Sequence, residues 1–377
     1  MLLWRTSIPE LRLPDVHARA VLGAPELERS ERYGRGLRLL WLGATLAELV
    51  VLGVATWLAP RRRMHGILRG VALAAATLVA VWLVRLPFVF AAQWWRRRYG
   101  VSRADYATIL VDPWLERLGS LAAACAAIAL VMVLARKLGD SWWLAGGPAF
   151  AAIGAAFLLA QPFLLVPRLD PFQDRVLTAE IRRLAREQGV GDVEVEVRDA
   201  SRRTRAINAE LYGVGPTKRV ILWDTALDGR LTRAEILSLA AHEFGHVEAH
   251  HVWKSIGWIA LFAVPGAYVV ARVTRRRGGL AQPAAVPLAL LVVTVLELAT
   301  LPATNAISRR YEAEADWLSM RATRDPEAFQ GLIRELSAAA LAEPDPPRWA
   351  QVVLGTHPTL VKRAAMARSV AELQGGS

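Results

Sequence analysis

The sequence predicts a multi-span α-helical membrane protein with about six transmembrane helices and an α+β domain set among them. Three observations carry this. Of 377 residues, 54% are hydrophobic, and mean hydropathy is +0.28, more apolar than an average soluble protein. The apolar residues gather into six runs, near Leu39–Leu58, Ile67–Phe90, Leu118–Leu134, Trp143–Leu165, Ile256–Val273 and Ala284–Leu301. Each is close to the ~20 residues that cross a bilayer. Two polar blocks, 167–254 and 303–377, carry helical and alternating patterns of their own.

Residues 1–38 read as a polar N-terminal tail. They lack the short apolar stretch after a basic start that marks a cleavable signal peptide, so the first span is expected to stay. Residues 39–166 form a four-span membrane region. Within it, Glu48, Arg85 and Gln161 are polar groups at membrane depth, where such groups face a partner or a wet cavity. Glu48 and Arg85 are expected to pair between the first two spans. Cys125, the one cysteine, lies in the third run, which excludes an internal disulfide and a cysteine-based metal site.

Block 167–254 opens with a helix near Leu177–Glu187 ended by Gly189. Val193–Val197 alternates as a strand, 206–212 suits a short strand, and Arg219–Trp223 a denser one. Thr232 and Glu235 form a capping box that starts a helix running from about Arg233 into the His250-His251 region. Residues 255–302 make a two-span hairpin, with Glu297 toward its end, and 303–377 close the chain, with a loop at Pro344–Pro347.

The net charge is +12, with 42 Arg against 4 Lys. The clusters Arg61–Arg63, Arg96–Arg98 and Arg275–Arg277 sit at span ends, which suits lipid phosphates, so the lipid bilayer and not nucleic acid is the expected partner. Residues 1–38 carry seven Arg and 93–117 five, whereas the loops 59–66, 135–142 and 274–283 on the other side carry three, two and three basic residues. The positive-inside rule therefore places a multi-pass protein in the cell membrane with both polar blocks in the cytoplasm.

His242-Glu243-Phe244-Gly245-His246 is an H-E-x-x-H motif. Residues four apart share one helix face, so both imidazoles can address one metal ion, and Glu243 sits beside it as a proton acceptor. Such a site requires a third protein ligand. His250 lies ~12 Å along the helix from His242 and, like His251, cannot share its metal unless the helix breaks. The metzincin positions hold Glu248 and Val252 in place of Gly and His. Past the hairpin, Ser308-Arg309-Arg310-Tyr311-Glu312-Ala313-Glu314-Ala315-Asp316 offers Glu312 and Asp316 on one face, with Glu314 pointing away. Glu312 as a ligand with Asp316 behind a ligand histidine fits this spacing, and so does a solvated helix of mixed charge.

Together these segments resemble the integral-membrane zinc metallopeptidases of the CAAX prenyl protease and HtpX family. That family shares H-E-x-G-H, a two-span hairpin and S-R-x-x-E-x-x-A-D, which stand here as His242–His246 and Ser308–Asp316. Asn208-Ala209 with Gly213, Arg219–Thr225, and Thr356-His357-Pro358 with Arg363 resemble further family segments. The resemblance implies an α+β zincin-like catalytic domain, split as 167–254 and 303–377, and one zinc ion per chain. It implies His242, His246 and Glu312 as ligands, Glu243 as general base, Asn208 and His357 near the scissile bond, and Asp316 and Arg363 behind the ligands. His357-Pro358 is expected to begin the last helix. Four spans before the motif resemble the CAAX-type branch, which has seven spans in all against six here. The expected substrates are membrane-associated or C-terminally lipidated proteins. The HtpX branch would instead imply misfolded membrane proteins. A zinc-binding receptor or transporter leaves Glu243 without a role, and no paired repeats are visible.

Overall fold

The computed structural model describes residues 2–59, 66–111, 114–164, 169–213 and 215–375. Arg61–Arg63 and the Gln161 side chain lie outside that description. Residues 2–22 run largely without regular structure and include the short helix α1 (Ala18–Val21). Helix α2 (Ala24–Leu58) starts inside the segment expected as a tail and is followed by α3 (Ile67–Arg98), α4 (Tyr106–Val111), α5 (Trp114–Leu138) and α6 (Trp143–Leu164). Then come β1 (Asp170–Pro171), α7 (Arg175–Glu187), β2 (Glu194–Arg198), β3 (Ala209–Tyr212), β4 (Arg219–Trp223) and α8 (Arg233–Glu248). Helices α9 (His251–Thr274) and α10 (Val286–Thr323) form the hairpin, and α11 (Pro326–Ala340), α12 (Arg348–Val353) and α13 (Leu360–Gly375) end the chain.

Among the described residues, six helices are long and apolar enough to cross a membrane, namely α2, α3, α5, α6, α9 and α10. The six apolar runs read from the sequence fall on these helices, except Leu165, which lies outside the described residues, and Ala284-Ala285, which form a turn just before α10. Leu39, Leu42, Leu46, Val50, Val54 and Trp57 of α2 are exposed at helical spacing, an outward apolar stripe that suits lipid contact. Arg85 of α3 donates to Glu48 of α2, the pairing expected between the first two spans. Helix α10 is longer than one crossing needs. At about 1.5 Å per residue, Glu312 stands about 39 Å from its start, beyond the ~30 Å hydrocarbon core.

The sheet has the order β1-β2-β4-β3. β2 and β4 are parallel, pairing Val195 with Val220, whereas β1 and β3 are antiparallel to their neighbours. Central β4 is apolar throughout its middle because both faces are covered, and Val220, Ile221 and Leu222 are fully buried. Two-residue β1 has no sequence signal of its own. Helix α7, capped by Asp174, turns Leu177, Ile181 and Leu184 onto the core shared with the sheet and α8.

The capping box that starts α8 is formed in full, with Glu235 N–H donating to Thr232 Oγ1 and Thr232 N–H donating to Glu235. Helix α8 then packs on α10 at very short range. A Cβ on Gly245 would stand 3.2 Å from the Ala315 Cα, tighter than ordinary contact, so a larger residue there would push the two backbones apart by a few tenths of an ångström or more. Ser238 and Ser319 tie the same two helices, with Ser319 Oγ donating to the Ser238 carbonyl at 2.7 Å.

Candidate metal centre

The close approach of α8 and α10 brings His242, His246 and Glu312 together. One ligand atom from each lies within 4.8 Å of the others. His242 Nε2 is 3.3 Å from His246 Nε2 and 3.2 Å from Glu312 Oε2, and His246 Nε2 is 3.7 Å from Glu312 Oε1. Bonds of about 2.0–2.1 Å to a tetrahedral zinc put neighbouring ligand atoms about 3.3 Å apart. The observed separations therefore fit a zinc-sized ion, and so does a donor set of two imidazoles and one carboxylate.

His242 is braced from behind. Its Nδ1 lies 2.9 Å from Asp316 Oδ1, and Asp316 accepts two hydrogen bonds from Arg363, from Nε at 2.8 Å and from Nη2 at 2.6 Å. Asp316 is fully buried and Arg363 nearly so. Burial disfavours a charged His242, but the adjoining carboxylates of Asp316 and Glu312 outweigh it and raise its pKa to about 10 without metal. His246 goes the other way, lowered to about 3 by burial and then by the charge on His242. Burial pushes the Glu243 carboxyl up to about 7, against the opposing pull of His242 and of the Leu211 backbone of β3.

His357 reaches the cluster, its Nε2 3.0 Å from Glu312 Oε2. The expectation that it begins the last helix is corrected. α13 starts at Leu360, with Thr359 Oγ1 accepting from Lys362 N–H, and His357 stands in the preceding loop. Thr359, three residues before the N–H that it accepts from, does the capping, and this leaves Pro358 in the loop ahead of the first turn. The loop and the α12 helix before it are held to α10 by Arg309, which donates to the Gln351 and Gly355 carbonyls, and by Asn305, which donates to the Val353 carbonyl. Asn208 sits just before β3, and its carbonyl accepts from Trp223 N–H at 3.1 Å. Among the described residues, no hydrogen bond joins its side chain to the cluster.

Two residues were missed from the sequence. An unbroken helix would carry His250 and His251 too far along its axis to reach the cluster. In fact α8 ends at Glu248, and His250 takes a left-handed conformation, φ 56°, that redirects the chain. His251 then folds back so that its Nδ1 lies 2.9 Å from His246 Nδ1. Glu314, which points away from the metal face, meets His251 Nε2 at 3.0 Å. A histidine just past the motif was the available signal, but it needed the helix break to be read.

Comparison with known proteins places these features. The model of peptidase family M48 matches residues 171–371, more than half of the chain. The chain is 30% identical over 243 residues to an uncharacterized metalloprotease, YhfN, of Bacillus subtilis, covering 61% of this chain and 57% of that protein. It is 27% identical over 237 residues to a CAAX prenyl protease 1 homolog of Oryza sativa, covering 58% of this chain and 56% of that protein. The chain thus spans a little over half the length of these curated relatives. Its fold is similar to the crystal structure of S. mikatae Ste24p, with a TM-score of 0.74 at 18% identity, covering 94% of this chain and 91% of that one. With six apolar helices and this fold, the chain is a multi-pass membrane protein with a small mixed sheet beside its motif helix. On the match across its polar blocks and hairpin, the chain belongs to peptidase family M48.

Proposed function

We propose that this chain is a membrane-embedded zinc endopeptidase, holding one zinc ion and cutting membrane-associated or C-terminally lipidated proteins. The observation that carries the reading is the convergence of His242, His246 and Glu312 next to Glu243. Membership of family M48 implies a metal cofactor, and relatives named CAAX prenyl protease support the substrate class. His242, His246 and Glu312 would hold the zinc. Bound zinc supplies Lewis-acid polarisation of the scissile carbonyl and lowers the pKa of the attacking water. Glu243, with its pKa near 7, is suited to take that water's proton and return it to the leaving amine.

His357 offers an N–H donor at the mouth of the site, where charge develops on the carbonyl oxygen. β3 is an edge strand lying against α8, and its open side suits a peptide added as a further strand. Asn208, at the head of that strand, would orient the peptide backbone. The arginine balance of the loops supports a cytoplasmic site.

The test joins metal analysis to cleavage of a farnesylated C-terminal peptide and its lipid-free counterpart. About one zinc per chain is expected, lost in Glu312→Ala, with the lipidated peptide cut faster. Retention of zinc by Glu312→Ala would overturn the ligand set. Equal cleavage of both peptides would remove lipid from the substrate definition and favour general membrane-protein substrates.

A further inference from the structure

Both motif histidines are held from behind, by different devices. His242 leans on Asp316 directly, whereas His246 leans on a second imidazole. With His246 Nε2 kept free to hold a metal ion, the hydrogen-bond order along that second chain is fixed. His246 turns Nε2 toward His242 and Glu312, so its ring proton resides on Nδ1. That N–H donates to His251 Nδ1, which fixes the His251 proton on Nε2, where it donates to Glu314 Oε2 at 3.0 Å. The His251 ring is itself fixed by stacking on Tyr311, with centroids 4.3 Å apart and planes at 12°.

Glu314 is 3% exposed, and a carboxylate there needs partners. They come from α9 and from the start of the chain. Lys254 Nζ lies 3.4 Å from Glu314 Oε2, and the Ser7 backbone N–H donates to Glu314 Oε1. Residues 3–7 are strapped across the same helices. Tyr311 donates to the Leu3 carbonyl at 2.7 Å, Arg310 to the Trp4 carbonyl at 2.6 Å, and Lys254 to the Arg5 carbonyl at 3.0 Å. Trp4 stands edge-on to Trp258, and Leu3 fills the space over Gly257.

We infer that His251 and Glu314, locked by the strap of residues 3–7, are positioning residues that set the tautomer and ring orientation of His246 for metal binding. The N-terminal segment is thereby a working part of the metal centre. This rests on His246 being a ligand. Partners behind a metal ligand typically change metal affinity by about 10–100-fold.

The experiment uses the full chain in detergent and measures zinc Kd by competition with a chelator, together with the Tm of the metal-free protein. His251→Phe keeps the stack on Tyr311 and removes both hydrogen bonds. It and Glu314→Ala are each expected to weaken zinc binding about 10–100-fold. Because the contacts are in series, the double variant should bind zinc about as well as the weaker single. A Kd within about twofold of wild type for His251→Phe, even with a lowered metal-free Tm, would reduce the relay to packing and overturn the inference. So would penalties that multiply in the double variant. Glu314→Gln, which keeps shape and an acceptor oxygen, covers the case of an unfolded His251→Phe, with a loss of about fivefold or more expected and an unchanged Kd again overturning it. His246→Ala separates the two readings. If it keeps wild-type zinc affinity, the ligand assignment fails, and if it loses zinc while His251→Phe does not, only the relay fails.

Discussion

Replacing Arg363 by Met removes the partner of a fully buried carboxylate while nearly keeping side-chain length. In the wild type, the Asp316 side chain is 0% exposed and that of Arg363 9%. Two charge-assisted hydrogen bonds join them, at 2.8 and 2.6 Å. Each such bond contributes about 1.5–3 kcal/mol, and stranding one member of a buried pair costs about 3–5 kcal/mol. Arg363 also lies over the Phe329 ring, 5.6 Å from its centroid, a contact worth about 0.5–1 kcal/mol that Met replaces in part. A loss near 4 kcal/mol is therefore expected. For a domain of this size, about 2–4 °C per kcal/mol makes that roughly an 8–16 °C fall in Tm. The assay is thermal unfolding of the metal-free chain by tryptophan fluorescence. Asp316→Asn combined with Arg363→Met should recover part of the loss, because no charge is then stranded. A fall under about 3 °C, or a double variant no better than Arg363→Met, would refute the stranded-charge argument.

Four further outcomes follow from the site. Glu243→Gln should keep zinc and fold but lose peptide cleavage, measured on one sample, and substantial turnover would remove its role as base. His357→Ala should bind zinc normally and lose about a hundredfold in kcat with KM little changed, whereas loss of zinc would make it part of the metal holder. Because His242 is charged without metal, with its pKa at about 10, zinc binding must displace a proton. Zinc affinity should therefore climb at least about tenfold per pH unit from 6 to 8, with Glu243 adding a fraction near 7, and a flat profile would contradict the charged metal-free state. Gly245→Val should separate α8 from α10, since even a Cβ meets backbone at 3.2 Å, and a variant with wild-type zinc content would show the approach to be dispensable.

Much of the site was legible because its signals are local. The four-residue spacing of His242 and His246, the Thr232 cap and the apolar β4 strand each determine a feature within one element. Arg219–Trp223 was placed to the residue for that reason, as a run too apolar and too short for a helix. Glu312 could be paired with Asp316 by helical phase, although the metal face they join lies across a two-span hairpin. What escaped depended on geometry between elements. His251 was set aside by a rise argument valid only for an unbroken helix, and one left-handed residue voids it. The strap of residues 3–7 is held mostly through its carbonyls and one N–H, which no side-chain pattern announces. The start of α13 was misplaced by three residues because the proline signal outranked the hydroxyl at Thr359.

Helix α10 runs from Val286 to Thr323 with Pro302 inside it, so its apolar half and the carboxylate of Glu312 share one helical phase. A single-residue insertion in a helix turns everything beyond it by about 100° and lifts it about 1.5 Å. An inserted or deleted residue near Val292 would swing Glu312 off the two imidazoles while leaving every residue of both motifs intact. Hydrophobic length in this segment is therefore not free to drift with bilayer thickness, as it is in an ordinary anchor. It can change only in steps that restore the helical phase, close to whole turns, or where Pro302 lets the axis bend.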